Sequence, residues 1–114
     1  MEYAIGIDLG GTNIAAGIVD ENGQILIKHS VPTYKERPTD EIVADMASLA
    51  KKLIAESGLN ITEFSSVGIG CPGTIDSKSG EVVYSNNIPM EHYPMAQRFK
   101  EHLNLSLIHI SEPT

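Results

Sequence analysis

The sequence has one cysteine, no tryptophan and no basic run longer than Lys51-Lys52. A lone Cys71 excludes an intrachain disulfide and any cysteine-based metal cluster, and it suits a reducing compartment. In such a compartment the sequons Asn60-Ile61-Thr62 and Asn104-Leu105-Ser106 carry no meaning. Acids outnumber bases 15 to 8, giving a net charge of -7 and a pI near 4.9. An acidic surface offers nothing to nucleic acid or an anionic membrane, so neither is expected as a partner. No apolar run nears the ~20 residues of a membrane-spanning helix. The N-terminal MEYAIGID lacks the charged and apolar regions of a signal peptide, and the expected location is the cytoplasm. His29, His92, His102 and His109 show no ligand spacing.

What the chain does have is enough for one domain with a modest core: 114 residues, 41% hydrophobic. Tyr3 to Leu9, Ile14 to Val19 and Gln24 to Val31 read as three strands. The turn-tolerant stretches Gly10-Gly11-Thr12-Asn13 and Asp20-Glu21-Asn22-Gly23 separate them, which predicts an antiparallel meander. Pro38-Thr39-Asp40-Glu41 predicts a helix start with Thr39 as cap. Ile42, Met46, Leu49 and Leu53 form its apolar stripe, and Gly58 closes it. Ser66 to Cys71 follows as a strand, and the helical crossover predicts that it lies parallel to an earlier one. Next come a turn at residues 76–80, a short strand Val82 to Tyr84, a loop Ser85 to Tyr93, and a second helix opened by Pro94 that carries Met95, Phe99 and Leu103. The expected class is therefore α/β with a mixed sheet.

Two stretches carry chemistry beyond this frame. A Gly-Gly between two strands is by itself a hairpin turn, but the flanks of IGIDLGGTN add more. Glycines allow close approach of a phosphate, and successive N–H groups in such a turn form an anion cradle. Thr12 and Asn13 add side-chain donors. Asp8, at the end of an apolar strand, is expected to be buried without a cationic partner, which is costly unless a hydrated metal such as Mg²⁺ receives it. The second stretch is VGIGCPGTID. Its Gly68-x-Gly70-x-x-Gly73 formally satisfies the dinucleotide-binding pattern. However, Pro72 lacks an N–H, and Thr74-Ile75-Asp76-Ser77 reads as a turn where that motif needs a helix. A Walker-type Gly-Lys loop is also missing.

Ile5 to Asn13 resembles the first phosphate motif of the actin, hexokinase and heat-shock chaperone ATPase superfamily, whose core is a ribonuclease-H-like lobe. The Asp-Leu-Gly-Gly-Thr form resembles its ROK branch of repressors and sugar kinases, in which bacterial glucokinases are the commonest members. Val67 to Asp76, with Gly80 to Val83 and Ser85 to Pro89, resembles the sugar-side segment of the ROK kinases. The resemblance implies an N-terminal lobe over residues 1–104. Within it Asp8 acts through Mg²⁺, Gly10, Gly11, Thr12 and Asn13 hold ATP phosphates, and Gly70, Pro72, Gly73 and Asn87 face a hexose. As turn residues alone, Pro72, Gly73 and Asn87 would be merely structural. The resemblance further implies ATP-dependent phosphorylation of glucose to glucose 6-phosphate in glycolysis by a homo-oligomeric parent. Any structural Zn²⁺ would belong to a C-terminal part not contained here.

One element of that chemistry is missing. The ROK kinases draw their base from an Asn-Asp pair on the strand after the second helix, expected near residues 111–112. The chain instead ends LSLIHISEPT. Residues 105–114 resemble the in-frame translation of a transposase sequencing adapter and are expected to be a non-native tail, so no catalytic residue is assigned and the fragment is expected to be inactive. Two alternatives stay open: a sugar-responsive ROK repressor, in which a DNA-binding segment would precede this lobe, and a sugar-binding lobe without chemistry.

Overall fold

The computed structural model describes residues 2–76, 78–85, 88, 90–103 and 108–111, with 109–111 described by backbone alone. Three strands open the chain: β1 (Tyr3–Leu9), β2 (Asn13–Asp20) and β3 (Ile25–Pro32). They form the expected antiparallel meander. Helix α1 (Thr39–Ser57) then crosses over to β4 (Phe64–Gly70), which pairs parallel with β1. A short turn at Ile61–Glu63 precedes β4. Its cap is Asn60, whose side chain accepts from the Thr62 N–H while its own N–H donates to Glu63. The remaining elements are β5 (Thr74–Asp76), β6 (Glu81–Ser85), β7 (Met90–Tyr93), α2 (Met95–His102) and β8 (Ile108–Ser111). The main sheet has the order β3-β2-β1-β4-β8, and β5-β6-β7 form a separate antiparallel sheet.

Burial explains the arrangement. In β1, Ile5, Ile7 and Leu9 are buried while Gly6 and Asp8 are exposed, the period-2 signature of a strand with one covered face. Ile14, Ala16 and Ile18 of β2 and Val67 and Ile69 of β4 bury on the same side. Helix α1 supplies the opposing layer through Ile42, Val43, Met46, Ala47, Leu49, Ala50 and Leu53. Gly58 ends the helix in the left-handed conformation at φ 74°, its N–H donating to the Ala55 carbonyl. Phe99 and Met95 of α2 join this core together with Leu103.

Four local expectations need correction. Pro38, not Thr39, occupies the cap of α1, with no side-chain capping bond, and Thr39 is the first helical residue. Asn13 opens β2 instead of closing the turn. Thr74–Asp76, read as a turn, is the strand β5, and the turn follows it, with the Asp76 side chain accepting from the Lys78 and Ser79 N–H groups. The stretch read as a loop from Ser85 to Tyr93 contains β7, which pairs with β6 through Tyr84↔Glu91 and Val82↔Tyr93.

Because Leu53 is fully buried between helix and sheet, Leu53→Ala is expected to cost about 2–5 kcal/mol. By contrast, Leu26→Ala, on an edge strand and 47% exposed, is expected to stay within about 0.5 kcal/mol. Urea unfolding of the two variants, compared with the parent, checks both values.

Candidate functional site

The first part of the site is the β1–β2 turn. Leu9 and Ile14 form the last strand pair, and the Gly10 N–H donates to the Asn13 carbonyl at 2.9 Å. A Cβ on Gly10 would lie 2.9 Å from that same carbonyl oxygen, so the tightness of the turn requires glycine here. The reciprocal bond, from Asn13 N–H to Gly10 carbonyl, is replaced. The Gly10 oxygen accepts the Thr33 hydroxyl at 2.7 Å, and the Thr33 N–H donates to the Thr12 carbonyl at 2.8 Å. Thr33 has no exposed surface. Its carbonyl accepts from Arg37 Nε at 3.0 Å, and Arg37 also pairs with Asp45 of α1 at 2.7 Å.

The second part lies beyond the C-terminal end of β4. Asp8 and Gly70 are register partners, and a Cβ built on Gly70 would meet Asp8 Oδ1 at 3.7 Å. The chain then turns through Cys71 and Pro72 to Gly73, whose φ of 101° is closed to ordinary L side chains. A Cβ on Gly73 would come within 2.1 Å of the Tyr84 carbonyl oxygen and 3.0 Å of Ser85. Gly73 thus permits the turn to lie directly against β6. Ser85 is buried there, with a hydroxyl that has no partner among the described residues. Asn87, expected on the sugar side, lies outside the described residues.

The structure therefore brings Asp8, Gly10, Gly11, Thr12 and Asn13 onto one hairpin and sets Gly70 beside Asp8 at its base, while Gly73, beyond Pro72, lies against β6. It overturns the expected burial of Asp8. The carboxylate is exposed on the uncovered face of the sheet, with Gly6, Gly68 and Gly70 nearby, because β1 points its even-numbered residues away from α1. An exposed carboxylate pays no desolvation penalty, so the argument that burial requires a metal lapses. The fit to a metal rests on other grounds. Among the described residues no cluster of three or more His, Cys, Asp or Glu could hold an ion. A single carboxylate matches Mg²⁺ alone, since Mg²⁺ keeps most of its waters and is commonly held by one or two carboxylates plus phosphates.

Cys71 is fully buried. Burial pushes its thiol up to about 12, and the negative charge of Asp8 adds to the shift. The side chain is a packing group and not a nucleophile. Thr33 is the site residue that sequence reading missed. Its two bonds to the hairpin span 23 and 21 positions, which no local pattern encodes; the only sequence signal is a polar residue directly after a strand.

The mixed sheet with its crossover helix and the turn at the end of β1 define a partial domain of the actin/hexokinase type. The chain belongs to the ROK family, whose model matches residues 4–112. It is 34% identical over 108 residues to a glucokinase of Streptomyces coelicolor, covering 95% of this chain and 32% of that protein. It is 36% identical over 84 residues to an N-acetyl-D-glucosamine kinase of Escherichia coli, covering 74% of this chain and 26% of that protein. Among solved structures, a ROK family glucokinase from Streptomyces griseus in complex with glucose and AMPPNP superposes with a TM-score of 0.84 at 31% identity, over 96% of this chain and 33% of that one. The chain thus spans about a quarter to a third of the length of these relatives.

Gly70 and Gly73 should differ in what an added Cβ costs in stability. Gly73→Ala forces a strained φ, worth about 1–3 kcal/mol, and a backbone clash on top of it; a clear loss in chemical denaturation is expected. Gly70→Ala meets nothing closer than 3.7 Å and should leave the unfolding midpoint nearly unchanged. The Cys71 thiol, neutral until about pH 12 in the folded state, should resist a disulfide-exchange reagent at pH 8 and react at once in denaturant.

Proposed function

We propose that the chain is the N-terminal lobe of a sugar kinase that transfers the γ-phosphate of ATP to a hexose hydroxyl, with glucose as the substrate. The observation that carries this reading is the register pair Asp8↔Gly70. It joins a phosphate-type hairpin and a sugar-type turn at the C-terminal ends of two parallel strands, where open α/β sheets bind ligands. The Gly10–Asn13 hairpin would hold the phosphates through backbone N–H groups and the side chains of Thr12 and Asn13. Asp8 would hold a hydrated Mg²⁺, which when bound neutralises charge on the transferring phosphoryl group. Gly70, Pro72, Gly73 and Asn87 would present fixed polar groups to the sugar. The relatives support this reading, since those named above are described as kinases of glucose or of an amino sugar.

Strand β8 bears on the missing base. Ser111 pairs with Gly70 in the parallel ladder, so the position where the resemblance places the Asn-Asp pair lies in one row with Gly70 and Asp8. A carboxylate at the end of that strand would stand beside the sugar-side turn. We read residues 105–114 as a non-native tail, and the native sequence after Asn104 as the source of the pair. Sequencing the parent gene past that codon should reveal an Asn-Asp within a few residues.

The activity test uses the full-length parent, assayed by ADP formation with Mg²⁺, ATP and either glucose or N-acetylglucosamine. Glucose is expected to give the higher kcat/KM, and Asp8→Asn to lower kcat by about 10²-fold or more. Binding of either sugar without turnover would replace the kinase reading with that of a sugar-binding lobe. Failure with every hexose would remove it.

A further inference from the structure

We infer that Thr33 is a positioning residue for phosphate binding: it aims the N–H groups of the hairpin by holding the carbonyls on the other side of the same peptide planes. The inference rests on the reading of the Gly10–Asn13 hairpin as the phosphate site.

A trans peptide unit is planar, and its C=O and N–H point in opposite directions. Fixing the Gly10 carbonyl therefore fixes the Gly11 N–H, and fixing the Thr12 carbonyl fixes the Asn13 N–H. Thr33 makes both attachments, the first through its hydroxyl at 2.7 Å and the second through its backbone N–H at 2.8 Å. The two carbonyls are thereby drawn toward buried Thr33, and the two N–H groups turn away from it. In an ordinary two-residue hairpin the Asn13 N–H would be spent on the Gly10 carbonyl. Here the Thr33 hydroxyl has taken that acceptor, so the donor is released without leaving the carbonyl unpaired.

Two further observations show that the clamp is held in place. Thr33 has 0% exposure, so no water competes for its hydroxyl. Its own carbonyl is engaged by Arg37 Nε, and Arg37 is tied to α1 through Asp45. A carbonyl turned toward an incoming phosphate would repel it, so the clamp both supplies donors and removes acceptors from that side.

The test compares Thr33→Val, which keeps the shape and loses the donor, with Thr33→Ser, which keeps the donor, in the full-length protein. Thr33→Val should raise KM for ATP about tenfold while KM for the hexose stays within about twofold. Thr33→Ser should leave both within about twofold of the parent. An unchanged KM for ATP in Thr33→Val, or equal rises for both substrates, overturns the inference. Should Thr33→Val fail to fold, Thr33→Ala, which also loses the donor, is read by the same criteria. A parent that phosphorylates no hexose would defeat the kinase reading itself; an active parent with an indifferent Thr33→Val defeats only the role of Thr33.

Discussion

Because α1 crosses from β3 to bring β4 in parallel beside β1, both strands deliver their C-terminal ends to one edge of the sheet. The site depends on that shared edge: the hairpin leaves from β1, the glycine-proline turn leaves from β4, and Asp8 stands opposite Gly70. The register is enforced by burial. A slip of one residue in β1 would turn Asp8 into the core and put Ile5, Ile7 and Leu9 on the open face. Each such apolar side chain contributes about 1.5–3 kcal/mol by being buried, and an unpaired carboxylate inside would add its own penalty. The core therefore places the functional carboxylate, although the carboxylate takes no part in the core.

The open face is shaped by what it lacks. Gly17, Gly6 and Gly68 are register neighbours across three strands, so this row has no side chains. Gly17 is constrained locally, since a Cβ there would lie 3.1 Å from the Ile27 carbonyl oxygen. Gly6 and Gly68 are not, for nothing stands within 4 Å of a Cβ at either. Their small size is unexplained by packing among the described residues. The effect is nonetheless plain: the glycines line an open concavity beside Asp8 and leave the carboxylate accessible.

Much of this was legible in the sequence because the signals are local. The period of two in Tyr3 to Leu9, the stripe Ile42-Met46-Leu49-Leu53 and the terminal Gly58 each state their own structure. Strand β7 was not legible: Met90–Tyr93 holds four residues and includes His92 at φ 49°, so it depends on long-range support, the pairing with β6 and the burial of Met90 in the core. The same holds for the three residues of β5. The exposure of Asp8 was misread because residues within an apolar run look buried until it is known which face of the strand is covered. The clamp on the hairpin was invisible for a related reason. Thr33 gains its meaning only when β3 folds back and sets it beside Gly10.

Which of the two interactions at that clamp controls the hairpin follows from their solvent exposure. The Arg37–Asp45 pair is short, but the Asp45 side chain is 46% exposed, and pairs of that kind contribute about 0–1 kcal/mol. Thr33 is itself fully buried and its hydroxyl bond to Gly10 is part-buried, so that bond is less open to water than the ion pair and contributes about 0.5–1.5 kcal/mol. Loss of the ion pair would loosen the link to α1 yet leave the Gly10 and Thr12 carbonyls held. Loss of the Thr33 hydroxyl would free the Gly10 carbonyl to close the ordinary hairpin bond with the Asn13 N–H, restoring local satisfaction while consuming a donor. The alternative turn is thus nearly as well bonded as the observed one. What Thr33 selects is the direction in which the hairpin presents its N–H groups.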